Sequence, residues 1–353
     1  MRLSDPGDVA ASLPALLGFR PRESVILISL TGTGGRRVGL TVRCDLPPPQ
    51  GAAEAAAELT RSVRTDSPSA VLLAVVSEAP DLPERDSCGW AVDGPTGLPY
   101  RGLVHEVVVA LAGHEIPVRE ALLVRDGRWW SYDCSRACCA PGAGTPLPGG
   151  VTALEAASVA TGVVIAADRN DLAGRIAAPC APAPGAMAAA CARVAVECSA
   201  RVLEAGFDEV AEESWSAITA AIDRCRVGAL GQPLTDDEVA RVVWGLRDRD
   251  VRDRALGLAT GTAAAAAEIL WTECTRRAPA PLDVAPATLL AVSAWLRGDG
   301  AMANVALTRA LAGEPTYALA RLLAQALANC VPPADLRAII GAAPAGPEPR
   351  RPA

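Results

Sequence analysis

Ser24-Val25-Ile26-Leu27-Ile28-Ser29-Leu30, then Thr31-Gly32-Thr33-Gly34-Gly35-Arg36-Arg37, then Val38-Gly39-Leu40-Thr41-Val42-Arg43, is the stretch on which the fold turns. The first run is almost continuously apolar and rich in β-branched residues, as a buried strand requires. The glycines after it invite a dinucleotide-loop reading. That fingerprint needs glycine at its sixth position opening a helix. Here the sixth position is Arg37, and a second β-type run follows. A β-hairpin results, with no phosphate loop.

Outward from this hairpin the pattern alternates. Asp5 can cap a helix that has Pro6 at its first position and Asp8 in its first turn, and Gly18 stops it. Residues 51–64 read as helix and Ala70–Val76 as a buried strand. Residues 78–99 read as a polar, Pro-rich loop, and 101–113 as helix. Val118–Val124 and Trp129–Tyr132 form a second hairpin around Arg125-Asp126-Gly127-Arg128. The order α-β-β-α-β-α-β-β mixes hairpins with crossovers and predicts a mixed sheet. The expectation is an α/β sandwich domain over 1–148.

Residues 140–150 carry three prolines and four glycines and read as a linker. Beyond them the period becomes helical, which predicts an all-α domain over 151–342 and a disordered tail over 343–353. Thr235-Asp236-Asp237-Glu238 is a capping box ahead of an apolar face. Asp248–Arg254 alternates in charge and reads as a solvated helix start, and Gly298-Asp299-Gly300 as a tight helix–helix turn. The uncharged run between Arg175 and Arg193 contains Pro179, Pro182 and Pro184, so it reads as a linker and not as a membrane span. Ala303, Ala310 and Pro315 have the small-small-Pro spacing of a tetratricopeptide helix pair. A tetratricopeptide-like array and a plain helical bundle both remain open.

Composition removes whole chemistries. The chain has 353 residues and a net charge of −7, and all 33 of its basic residues are arginine. Without lysine there is no Walker loop, no Schiff-base enzyme and no kinase strand lysine. Only His105 and His114 occur, and Val109 and Val118 stand where a zincin helix needs its second histidine. Both halves are mildly acidic, so no basic face meets nucleic acid. With no signal-peptide stretch, the expected setting is cytoplasmic and off the membrane. Eleven cysteines, an odd number spread along a large chain, do not form a secreted disulfide framework.

Two constellations could carry chemistry. The stretch 129–139 gathers Trp129, Trp130 and Tyr132 with Cys134, Cys138 and Cys139. Three thiolates could bind zinc, with Cys44 or Cys88 folding in as a fourth ligand. They could instead form a redox pair of Cys134 with Cys138 or Cys139, or simply cap the hairpin as reduced thiols. The aromatic residues are expected at an interface with the helical half. Glu23, Ser24, Arg43 and Asp45 form a second set at the strand ends, where α/β folds bind ligands. A strand exit and turn also accounts for them.

Several stretches together resemble a known family. They are Leu13-Pro14-Ala15-Leu16-Leu17-Gly18-Phe19-Arg20-Pro21 into Ser24-Val25, Arg43-Cys44-Asp45-Leu46-Pro47, and Asp126-Gly127-Arg128-Trp129-Trp130-Ser131-Tyr132-Asp133-Cys134. Ala294-Trp295-Leu296-Arg297-Gly298-Asp299-Gly300-Ala301 with Glu314-Pro315-Thr316-Tyr317 completes the set. This combination is similar to the actinobacterial proteins of domain of unknown function 4192. The resemblance implies an architecture and a bacterial cytoplasmic setting, and implies no activity. The expected function is a non-catalytic binding, scaffold or regulatory protein with a protein partner on its helical half. The alternative is a small hydrolase-like, thiol-redox or zinc-dependent enzyme. Apart from zinc at the cysteine loop, no cofactor is expected.

Overall fold

Helix α1 (Pro6–Leu17) begins as its sequence dictates: the Asp5 carboxylate accepts the Gly7 N–H at 2.7 Å, and Gly18 closes the helix. The computed structural model describes residues 5–32, 34–35, 37–85, 91–152, 154–156, 164–180, 183–226 and 233–342. The tail over 343–353 and Cys88 lie outside these residues.

Strands β1 (Ser24–Thr31) and β2 (Arg37–Asp45) pair antiparallel, as the hairpin reading requires. Helix α2 (Ala52–Arg64) leads to β3 (Ala70–Val76), which pairs antiparallel with the other edge of β1. Strands β4 (Leu82–Arg85) and β5 (Ala91–Gly97) form a separate two-stranded sheet where the sequence suggests only a loop. Pro83 faces Pro95 across a shifted register, and prolines cannot donate to a ladder, so no alternating pattern announces these strands.

Helix α3 (Arg101–Ala112) then crosses over to β6 (Val118–Arg125), which lies parallel to β3. β7 (Arg128–Ser131) returns antiparallel. Asp126 and Gly127, at φ 47° and 70°, supply the two left-handed positions of the tight turn between them. The short β8 (Thr145–Pro146) ends a six-stranded mixed sheet of order β2-β1-β3-β6-β7-β8.

Strand alternation divides the core into two. Val25, Leu27, Val71, Leu73, Val75, Ala121, Leu123 and Trp130 meet α2 and α3 on one face. Ile26, Ile28, Leu30, Ala70, Leu72, Ala74 and Leu122 meet Val9, Ala10 and Leu13 of α1 on the other. The result is a three-layer α/β sandwich built on the period of two.

The chain divides into compact units at Met1–Arg169 and Asn170–Ala353. This division falls later than the expected break near 148–151. β8 pairs with β7, and Ala166 bridges Phe19, so the segment after the cysteine loop stays with the sheet.

The second unit is helical: α4 (Arg169–Gly174), α5 (Ala183–Ala205), α6 (Phe207–Arg224), α7 (Asp236–Gly245), α8 (Arg249–Leu256), α9 (Ala264–Arg277), α10 (Val284–Leu296), α11 (Gly300–Gly313), α12 (Ala318–Ala328) and α13 (Pro333–Ala342). Residues 183–193, expected as linker, are the first turns of α5. Pro184 falls in the opening turn, where a missing N–H costs nothing. Thr235 and Glu238 form the expected capping box, and Asp248 and Asp299 cap α8 and α11 as their motifs require. Helix α10 is buried on nearly every side, enclosed by α8, α9, α11 and α13, as an all-round apolar helix must be. Ala303 and Ala310 are buried within this packing. No helix among the described residues is long and apolar enough to cross a membrane.

Candidate functional site

The cysteine loop leaves the end of β7 and is tied down from both sides. Trp130 lies 2 % exposed in the core beneath α3, and its indole Nε1–H donates to the Ala140 carbonyl at 3.3 Å. The Gly142 N–H donates to Asp81 Oδ2 at 2.7 Å, and Arg128 Nη1 donates to the Ala143 and Gly144 carbonyls. At the entrance, the Tyr132 hydroxyl donates to the Pro99 carbonyl at 2.7 Å, and the Ser131 hydroxyl donates to Glu120. A single 3-10 turn, Ala137–Cys139, folds the loop back on itself.

That turn brings the sulfurs of Cys134, Cys138 and Cys139 all within 4.8 Å of one another. Cys138 and Cys139 are 4.0 Å apart at their Sγ atoms. The three differ in surroundings. Cys139 is buried, its sulfur accepts the Ser131 N–H at 3.3 Å, and burial pushes its thiol up to about 11. Cys138 is exposed and Cys134 half-buried. The backbone N–H of Arg136, seconded by its guanidinium and by the neighbouring thiols, holds the Cys134 thiol below the ordinary range. One thiol whose ionisation is favoured, one exposed thiol and one anchored thiol therefore share a small space.

Cys44 is not part of this group. It lies on β2, four strand spacings from β7, or roughly 19 Å. Burial raises its thiol to about 11. Among the described residues no fourth cysteine, histidine or carboxylate joins the three sulfurs.

The other predicted residues are occupied internally. Arg43 donates to the Ser24 hydroxyl at 2.8 Å and pairs with Asp45 at 2.5 Å, while the Ser24 hydroxyl donates to the Arg22 carbonyl. Glu23 turns away from them, accepting from the Ser77 hydroxyl at 2.8 Å and the Glu78 N–H at 2.9 Å. These bonds join the ends of β1, β2 and β3. Trp130 and Tyr132, expected at an interface, are enclosed by residues of their own unit, and Trp129 packs half-buried on the opposite sheet face. His105 is exposed on α3, and His114 Nε2 stands 3.3 Å from Arg64.

Asp81 and Arg125 escape the sequence reading. Their carboxylate and guanidinium meet at 2.9 Å with only 7 % and 13 % of their side chains exposed, and Arg125 stacks over Trp130 at 4.8 Å. Nothing local marks them, because they are 44 residues apart. Asp81 stands in a polar, Pro-rich stretch and Arg125 beside the charged turn Asp126-Gly127-Arg128, so both read as ordinary surface residues.

A family model described as "Domain of unknown function (DUF4192)" matches residues 6–334. No curated protein and no solved structure matches the chain.

Proposed function

We propose that this chain, which belongs to the DUF4192 family, is a regulatory protein whose working element is the three-thiol loop of its α/β unit. The observation that carries the reading is the gathering of three sulfurs within 4.8 Å on a pinned loop. Cys134 is the attacking group, since its thiolate is favoured and its side chain is reachable. Its sulfur attacks a hydroperoxide oxygen, breaking the O–O bond, releasing an alcohol and leaving a sulfenic acid. The Cys138 sulfur then displaces the hydroxyl, which leaves as water, and a disulfide forms. Cys138 is the partner because it is exposed and free to close the gap, whereas Cys139 is buried and hydrogen-bonded. The cytoplasm suits this role, because its reductants return the disulfide to thiols.

Treatment of the reduced protein with one equivalent of hydroperoxide will yield a Cys134–Cys138 disulfide on peptide mapping. Cys134→Ser will abolish it and Cys139→Ser will not. At neutral pH an alkylating reagent will modify Cys134 well before Cys44, whose thiol is shifted the opposite way. A disulfide pattern indifferent to Cys134 overturns the reading.

A second reading, a partner-binding face on the helical unit, has its own observation. Val196 and Leu203, seven residues apart on α5, are 72 % and 89 % exposed, and Phe207 at the start of α6 is 75 % exposed. Apolar side chains grouped this way mark interaction surfaces. Leu203→Glu will cost the chain any protein it captures through this face. Equal capture by both forms counts against it.

A further inference from the structure

We infer that Cys134, Cys138 and Cys139 together hold one zinc ion, with a fourth coordination position open to a water or a small exogenous ligand. The site shares the residues of the proposed function, and it makes a demand the disulfide does not: all three sulfurs at once.

The argument is geometric. In a tetrahedral site with zinc–thiolate bonds of about 2.3 Å the sulfurs stand about 3.8 Å apart, and Cys138 and Cys139 are already 4.0 Å apart. The remaining edges lie within 4.8 Å, so they close to this spacing by about 1 Å of motion. A thiol pair awaiting oxidation needs no third sulfur at such a distance. The third one here is the most firmly placed, held by the Ser131 N–H.

The surroundings suit a bound cation of this kind. Three thiolates around a divalent ion leave a net negative charge, and Arg136 stands beside Cys134 to balance it. The Ser131 N–H bond to Cys139 is the outer support that fixes a metal-bound thiolate. Both ends of the loop are anchored, at Trp130–Ala140 and Asp81–Gly142, so the ligands are ordered before the ion arrives. Exposure of Cys138 leaves one side open to solvent, which is the pattern of three protein ligands with a vacant fourth place. Soft sulfur donors favour zinc over magnesium or calcium.

The test uses the reduced full-length protein, without oxygen, titrated with zinc against a chromophoric chelator. Cobalt substitution then reads out the sulfur ligands by their charge-transfer absorption. The expected result is one ion per chain with thiolate-to-cobalt absorption. Cys134→Ser and Cys138→Ser, both outside the buried core, will each lower zinc affinity by about 100-fold or more. Cys139→Ser separates the two ideas: it will lose zinc and keep the Cys134–Cys138 disulfide. Far-ultraviolet circular dichroism and a melting curve confirm that each variant is folded. Absence of stoichiometric zinc, or zinc retained without Cys139, overturns this inference and leaves the disulfide reading standing. Zinc bound without any peroxide-driven disulfide overturns the redox reading alone.

Discussion

Asp81→Ala will destabilise the α/β unit by about 3–5 kcal/mol, the loss that follows when one partner of a buried ion pair is removed. Asp81 and Arg125 are nearly enclosed, and the aspartate uses both oxygens, one toward Arg125 Nη2 at 2.9 Å and one toward the Gly142 N–H at 2.7 Å. Truncation strands the guanidinium beside Trp130, with the Ala79 carbonyl as its remaining partner at 2.7 Å. It also releases the cysteine loop at Gly142. In a unit of this size the cost corresponds to a fall of roughly 10 °C in melting temperature. Cys134 alkylation will become faster at temperatures where the protein is still folded. Combining Asp81→Leu with Arg125→Met will recover most of the stability, because no unpaired charge remains. A single-variant cost below about 1 kcal/mol would show that the pair does not secure the loop.

Gly144→Ala will be of similar size, about 2–5 kcal/mol, from two independent sources. Gly144 has φ 70°, a left-handed conformation that costs a residue with a Cβ about 1–2 kcal/mol. An added Cβ would also stand 2.4 Å from Cζ2 and 2.6 Å from Cε2 of Trp130. The ring cannot retreat, since it is 2 % exposed in the core and hydrogen-bonded to Ala140. Overpacking of this kind adds about 1–3 kcal/mol. Denaturant unfolding checks the value. Gly149→Ala is the control, because its added Cβ meets nothing within 4 Å and should move stability little. Equal stability of the two variants would refute the close-packing account.

The apolar β-type runs of β1, β3 and β6, the caps at Asp5 and Thr235, and the Asp126-Gly127 turn are all legible locally. Each is a short-range pattern with one favourable solution. The β4–β5 pair is not legible, because prolines and glycines erase its alternation. Residues 183–193 mislead in the other direction. Proline density suggests a linker, yet Pro184 sits where a helix accepts it. The cysteine loop is legible as a cluster of residue types and not as a site. Nothing in its spacing states that all three sulfurs converge while Cys44 lies at the far edge of the sheet.

The sequence alone determined an arginine-only basic set that rules out lysine chemistry, a hairpin in place of a phosphate loop, and a change from mixed α/β to helical order. These are matters of composition and short-range periodicity, which a linear chain carries in full. Only the tertiary structure decided that β8 and Ala166 stay with the first unit, that Trp130 is core, and that Asp81 reaches across 44 residues to Arg125. It alone brought three thiols with unlike surroundings within 4.8 Å of each other. Such contacts depend on strand order and on burial, and neither is set by any neighbouring pair of residues.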